Sequence, residues 1–267
     1  MYSPLRNSRI KLSLGHIFWR EVGQGPDLVF LHGSWHDSSQ WLGTIEYLSR
    51  YCHCLVPDLL GFGESKSPNI HFSIDLEVQC LEEYLDTLKL REVYLVGHSL
   101  GGWVAASYAV KYPDRVQGLV LLAPEGVNTA SQQQRMRDAK LLTAQPPLTF
   151  WLLRAIYPLA KLVGSEKKLD RLFEFRRQLL GSDVARQLLF GRRQAEIKAE
   201  LVDEQLSCLK VPVLLLHGSQ DNIAAALCES YAALVPHAKL ESIDRGGCNL
   251  PQEMPDFVAK YIWDFVK

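Results

Sequence analysis

A doubly wound α/β domain with a mostly parallel, eight-stranded sheet is the fold class the sequence predicts, on three observations. Continuous apolar runs such as Asp27-Leu28-Val29-Phe30-Leu31 and Val213-Leu214-Leu215-Leu216 read as strands buried on both faces. They alternate with helical periodicity, which implies parallel strands joined by right-handed crossovers with helices on both faces of the sheet. One run, Val93-Tyr94-Leu95-Val96, breaks at Gly97-His98-Ser99-Leu100-Gly101, just before an Ala-rich helical pattern from Trp103 to Val110. With 267 residues, 47% of them hydrophobic, the chain suffices for one large core.

In order, Ile10 to Val22 alternates loosely around a turn near Gly15 and reads as two antiparallel strands. Asp27–Leu31 is the third strand and ends in His32-Gly33-Ser34-Trp35-His36. A helix is expected from Ser38 to Arg50, then a strand from Cys52 to Val56, closed by the turn-rich Pro57-Asp58-Leu59-Leu60-Gly61-Phe62-Gly63-Glu64-Ser65. Ser73 to Leu88 is amphipathic, with Ile74, Val78, Leu81, Leu85 and Leu88 at helical spacing. After the Ser99 corner and its helix, Val116 to Ala123 forms a sixth strand. From 127 to 209 the pattern is helical throughout, and this segment is expected to be a cap inserted after that strand, with 1–126 and 210–267 forming the core. Alternation then resumes with a strand from Val211, a helix to about Leu234, a strand Lys239–Ile243 and a closing helix.

Ser99 stands where the strand turns into the helix. Glycines on either side let two backbones pass closely and push its hydroxyl out above the sheet, a geometry suited to a nucleophile. The amide of Leu100 then heads the helix, where partial positive charge favours a developing oxyanion.

Composition removes other classes. A net charge of −1 gives no general attraction for nucleic acid, and no nucleic-acid module is present. Six cysteines without C-x-x-C spacing, and the start Met1-Tyr2-Ser3-Pro4 without a signal-peptide pattern, lead to the expectation of a reducing cytoplasm. No run approaches the roughly 18 apolar residues of a membrane span. No metal or organic cofactor is expected: Gly23-Gln24-Gly25 and Gly61-Phe62-Gly63 complete no dinucleotide fingerprint, and no ligand cluster has metal spacing. The cap segment is rich in Lys and Arg. It reads either as a solvated helical surface or as a peripheral contact with an anionic ligand or membrane face. Its most apolar part, Pro147 to Leu162, either lines an acyl-sized pocket or packs against other protein.

Together these motifs resemble the α/β-hydrolase superfamily, in particular the cap-bearing esterases and carbon–carbon bond hydrolases. The resemblance implies that Ser99 is a nucleophile acting on a small or acyl-type substrate. It further implies that the amides of Ser34, after His32-Gly33, and Leu100 form an oxyanion hole, and that Asp221 in Gly218-Ser219-Gln220-Asp221 is the triad acid. The family's final pattern is Gly-His-x-x-x-x-Glu-x-Pro. Here Gly247, Glu253 and Pro255 keep register while Cys248 fills the histidine's slot.

A thiol has one short-reach atom where imidazole has two nitrogens and a pKa near neutrality. Loss of a triad member costs on the order of 10⁴ to 10⁶ in turnover. Weak hydrolysis is therefore expected, and a non-catalytic binding protein with a capped ligand pocket is the alternative. A thiol-based site at Cys248 is a third reading.

Four other residues belong near such a pocket. Trp35 and His36 lie in the oxyanion loop, His36 being either a substitute base or a satisfied loop histidine. His98 adjoins the nucleophile and is expected to be structural. Glu125, just past the sixth strand, is either a carboxylate of the site or an ordinary surface or hinge glutamate.

Overall fold

Alternate residues of the central strands bury against opposite faces of one sheet. Leu28 and Phe30 meet Trp41, Ile45 and Ile262 on one side, while Val29 and Leu31, equally buried, point to the other. The computed structural model describes residues 4–67, 70–144, 146–164 and 166–267; Met1-Tyr2-Ser3, on which the reading of the chain's start partly rests, lies outside them.

The strands are β1 (Arg6–Leu12), β2 (Gly15–Gly23), β3 (Asp27–Leu31), β4 (His53–Pro57), β5 (Val93–His98), β6 (Val116–Leu122), β7 (Val213–Gly218) and β8 (Lys239–Ile243). They form one sheet in the order β1-β2-β4-β3-β5-β6-β7-β8. Pairings β1–β2 and β2–β4 are antiparallel and the rest parallel, with Val29 opposite Leu95 and Leu121 opposite Leu215. The chain steps one way from β3 to β4 and the other way from β5 to β6. The topological switch point, where open α/β sheets bind ligands, therefore falls at the carboxyl ends of β3 and β5.

Around this sheet lie α1 (Leu42–Leu48), α2 (Ile74–Thr87) and α3 (Leu100–Lys111), and, after β6, a helical stretch. The stretch comprises α4 (Ala130–Thr143), α5 (Leu148–Leu162), α6 (Glu166–Gly181), α7 (Asp183–Arg186) and α8 (Gln194–Ala199). The chain closes with α9 (Asn222–Leu234), α10 (Leu250–Glu253) and α11 (Pro255–Val266). Helix α1 packs with α11, and α2 with α3. The helix expected from Ser38 begins as a tight turn, Ser38–Trp41, capped by the Asp37 side chain, before α1 proper. Helix α2 matches its periodicity: Ser73 Oγ accepts from the Leu76 amide, acidic Asp75 and Glu77 sit in the first turn, and Ile74, Val78, Leu81 and Leu85 are buried.

The chain divides into two compact units, 1–129 with 199–267, and 130–198. Segment 199–209 belongs to the sheet unit because it is stitched there. The Val202 amide donates to Gly126 O at 2.9 Å, Trp103 Nε1 to Glu200 O at 3.0 Å, and the Asn128 amide to Asp203. In the helical unit, α5 meets α6 through Phe150 and Tyr157, whose rings both contact Phe173.

Candidate active site

Three close approaches, two to backbone and one to a side chain, explain the glycines around Ser99. A Cβ on Gly97 would lie 2.4 Å from Gly101 O, one on Gly101 2.3 Å from Leu31 O, and one on Gly33 2.6 Å from His98 Nδ1 and 3.5 Å from Ser99 Cβ. Strand β3, strand β5 and helix α3 thus converge closer than any side chain permits. Ser99 takes the strain, with φ +52° and ψ −113°, a conformation costing a non-glycine residue about 1–3 kcal/mol. Its backbone is held by its N–H to Leu122 O at 2.9 Å and by its carbonyl, which accepts from the Glu125 and Trp103 amides, both at 3.1 Å.

The Ser99 hydroxyl donates to Glu125 Oε1 at 3.2 Å. Glu125 is not a surface glutamate. It is 4% exposed, and its carbonyl accepts from the Tyr231 hydroxyl at 2.6 Å. A carboxylate in this position can take up a serine proton, though as a weaker base than imidazole. Leu100 begins α3, and its amide is among the first-turn donors that lack an intrahelical acceptor. Ser34, at the tip of the neighbouring loop, is buried.

The loop after β3 is fixed from beneath. His32 is buried, donates through Nδ1 to Gly33 O at 2.9 Å and accepts at Nε2 from the Leu59 amide at 3.0 Å; burial lowers its pKa and keeps the ring neutral. The Pro57 to Ser65 loop is tied to the same place. Asp58 accepts from the Ser38 amide through Oδ1 and from the Glu64 amide through Oδ2, and Gly63, at φ +51°, leaves room for that carboxylate. Trp35 and His36 are half-buried; the His36 ring centroid lies 6.4 Å from that of His98, and burial lowers its pKa.

His98 is the hub of a buried polar network. Its Nε2 donates to the carbonyl of Cys248 at 3.0 Å, and its Nδ1 accepts from Gln40 Nε2 at 2.9 Å. The same Gln40 amide donates to Asn249 Oδ1 at 2.8 Å, while Gln40 Oε1 accepts from the Gly33 amide at 2.9 Å. Burial pushes the His98 pKa down to about 4, so the ring is neutral at physiological pH with both nitrogens engaged.

Cys248 itself is exposed, and its backbone is pinned by Glu253. The Gly247 amide donates to Glu253 Oε2 at 2.7 Å and the Asn249 amide to Oε1 at 3.2 Å. Asp221 caps α9, its Oδ1 accepting from the Ile223 and Ala224 amides at 3.0 and 3.1 Å. The loops carrying Asp221 and Cys248 are neighbours at the carboxyl ends of β7 and β8, joined by the Gln220 amide to Gly246 O at 2.9 Å. The structure therefore brings Ser99, Glu125, His98 and the Cys248 backbone together at one end of the sheet, with Asp221 on the adjoining loop. Gln40 and Asn249 join them without belonging to any motif visible in the sequence. Among the described residues, no group of three or more His, Cys, Asp or Glu is placed to hold a metal.

A doubly wound sheet with a strained serine at a strand-to-helix corner defines the class as an α/β protein with the hydrolase fold. The chain belongs to the alpha/beta hydrolase family, whose model matches residues 28–261. Human monoacylglycerol lipase ABHD6 is 24% identical over 264 residues, 91% of this chain and 76% of that protein. The 2-hydroxy-6-oxo-2,4-heptadienoate hydrolase of Pseudomonas putida is 37% identical over 112 residues, 40% of this chain and 41% of that protein. The nematode protein abhd-5.2 of Caenorhabditis elegans is 36% identical over 145 residues, 51% of this chain. The chain thus spans less than half the length of these last two relatives, 31% in the nematode case. The fold is shared with a thermophilic esterase from Thermogutta terrifontis, with a TM-score of 0.73, 23% identity and 98% of each chain covered. It is also shared with the haloalkane dehalogenase DbeA of Bradyrhizobium elkani, with a TM-score of 0.75, 20% identity and 98% and 97% covered.

Proposed function

We propose that this chain is a serine hydrolase of low turnover acting on a small or acyl-type carboxylic ester. The observation that carries this reading is the Ser99 hydroxyl, held at a strained corner and donating to the buried Glu125 carboxylate. Ser99 Oγ adds to the ester carbonyl while its proton passes to Glu125, and the oxyanion is met by the amides of Ser34 and Leu100. Collapse expels the alcohol, which takes the proton back, and water repeats the sequence on the acyl-enzyme. Asp221 keeps the position of the triad acid, and Cys248 fills the slot from which an imidazole would serve Ser99. Turnover on the order of 10⁴ below an intact triad follows from that loss. The names of the relatives, a monoacylglycerol lipase and a 2-hydroxy-6-oxo-2,4-heptadienoate hydrolase, support a hydrolytic role, and the first supports an acyl substrate. The helical unit 130–198 is assigned the part of substrate-selecting cap.

One observation favours a non-catalytic binding protein instead: His98, the imidazole adjacent to Ser99 in the chain, has both nitrogens committed to Cys248 and Gln40. Fluorophosphonate labelling separates the two readings. Labelling confined to Ser99, with p-nitrophenyl ester hydrolysis abolished by Ser99→Ala, supports the hydrolase. Absence of both leaves the binding protein.

A further inference from the structure

Helix α5 carries two different sides. Phe150 and Tyr157 face α6, whereas Leu148, Trp151, Leu152, Ile156, Leu159 and Leu162 are between 40% and 83% exposed. These six recur at intervals of one, three or four, so they share one side of the helix along its whole length of 15 residues, roughly 22 Å. Contiguous exposed apolar side chains, as opposed to singly scattered ones, mark interaction sites. Arg154 and Lys161, seven positions apart, run along its margin.

The charge around the strip selects what it meets. Unit 130–198 contains 14 Lys and Arg against 6 Asp and Glu, a net of +8. The remaining residues hold the other 15 Lys and Arg against 24 Asp and Glu, a net of −9. Beside the strip, between α5 and α6, lies a groove of about 720 Å³ lined by Arg154, Arg176 and Arg177 with the Phe150, Tyr157 and Phe173 rings. Arg176 stacks 4.2 Å over Phe150 and donates to Leu142 O, and Arg177 pairs with Glu174. Among the described residues one carboxylate lines the groove, Asp170, and it accepts from the Tyr157 hydroxyl at 2.9 Å. Two copies meeting strip to strip would bring two surfaces of +8 together. An anionic bilayer instead accepts the apolar side among its acyl chains and the arginines and lysines among its phosphates.

We infer that α5 is an interfacial helix by which this protein docks onto anionic phospholipid bilayers, lying flat with its Leu and Trp strip in the acyl boundary. Among the described residues no helix is long and apolar enough to cross a membrane, so the contact is with one leaflet. The inference does not depend on catalysis.

The test is co-sedimentation of the full chain with vesicles of phosphatidylcholine containing phosphatidylglycerol, and with vesicles of phosphatidylcholine alone. Binding to the anionic vesicles is expected to be at least about tenfold tighter, to weaken with added salt, and to be unchanged in Ser99→Ala. Trp151→Ser combined with Leu152→Ser and Leu159→Ser should abolish it with circular dichroism unchanged. Arg154→Gln with Lys161→Gln, which leaves the strip intact, should weaken it about tenfold or more. No binding to anionic vesicles, or binding untouched by the serine substitutions, overturns the inference. So does sedimentation showing a dimer that those substitutions dissociate, which would make the strip a contact between copies of this chain.

Discussion

The His98 ring holds the main-chain carbonyl of Cys248 at 3.0 Å, across 150 residues of sequence. With Glu253 accepting the amides of Gly247 and Asn249, the main chain is held on both sides of residue 248. The proposed function makes this held position the one from which an imidazole would serve Ser99. Cys248→His should raise hydrolysis of an activated ester at least about a hundredfold, a small part of what a triad histidine is worth. Initial rates with p-nitrophenyl butyrate measure this, and a flat response would count against Ser99 as nucleophile.

Glu125 is the second test of the site. Glu125→Gln keeps the side chain's size and an acceptor for the Ser99 hydroxyl but removes the charge that receives its proton. Residual turnover should fall at least about tenfold, with KM little changed and the melting temperature held. In a Cys248→His background, where imidazole takes over the proton, the same change should cost much less. Equal losses in both backgrounds would make Glu125 a positioning residue.

Much of the fold was legible in the sequence because burial imposes a period. The apolar runs of β3, β5, β6 and β7 have no polar face, as strands covered on both sides require, and the spacing of Ile74, Val78, Leu81 and Leu85 marked the buried side of α2. Ser99 was legible because its flanking glycines are demanded by backbone contacts. The Ser99–Glu125 pair was less so: it depends on β5 and β6 being neighbours with His98 opposite Leu122, which sets the next few residues of both strands side by side. Gln40 and Asn249 were not legible at all. They lie 209 positions apart, Gln40 in the Ser38–Trp41 turn and Asn249 at the start of α10, and nothing local records that one amide serves both Asn249 and His98. The apolar character of α5 was plain in the sequence, but which of its sides finds protein partners is a property of packing.

Because Gln40 serves Gly33, His98 and Asn249 together, removing it should act on the oxyanion loop and the 248 loop at once. Gln40→Leu leaves several buried polar groups unpaired, each costing about 1–3 kcal/mol, so a loss of a few kcal/mol in urea unfolding is expected. A double-mutant cycle with Asn249→Ala should show a coupling of at least about 0.5 kcal/mol. Strict additivity would mean the two side chains act separately, and the network would lose its part in holding residue 248.

Glu77 gives the fold a pH dependence of definite sign. It is buried beneath the Pro57 to Ser65 loop, accepts from the Leu60 amide at 3.1 Å, and burial pushes its pKa up to about 8 from 4.5. Between those values the folded chain holds a proton that the unfolded chain has released, so stability falls as pH rises through this window. His98 acts oppositely. Its folded pKa of about 4 lies below the ordinary 6.5, so the unfolded chain binds the extra proton and stability rises with pH across that lower range. The two slopes offset one another up to about pH 6.5, above which that of Glu77 stands alone. Unfolding free energy should therefore drop by on the order of 1 to 2 kcal/mol between about pH 6.5 and 8. Glu77→Gln, which keeps an acceptor for Leu60 but cannot ionise, should flatten this part of the profile. Urea denaturation at both pH values measures it, and an undiminished slope in the glutamine variant would assign the titration to another group.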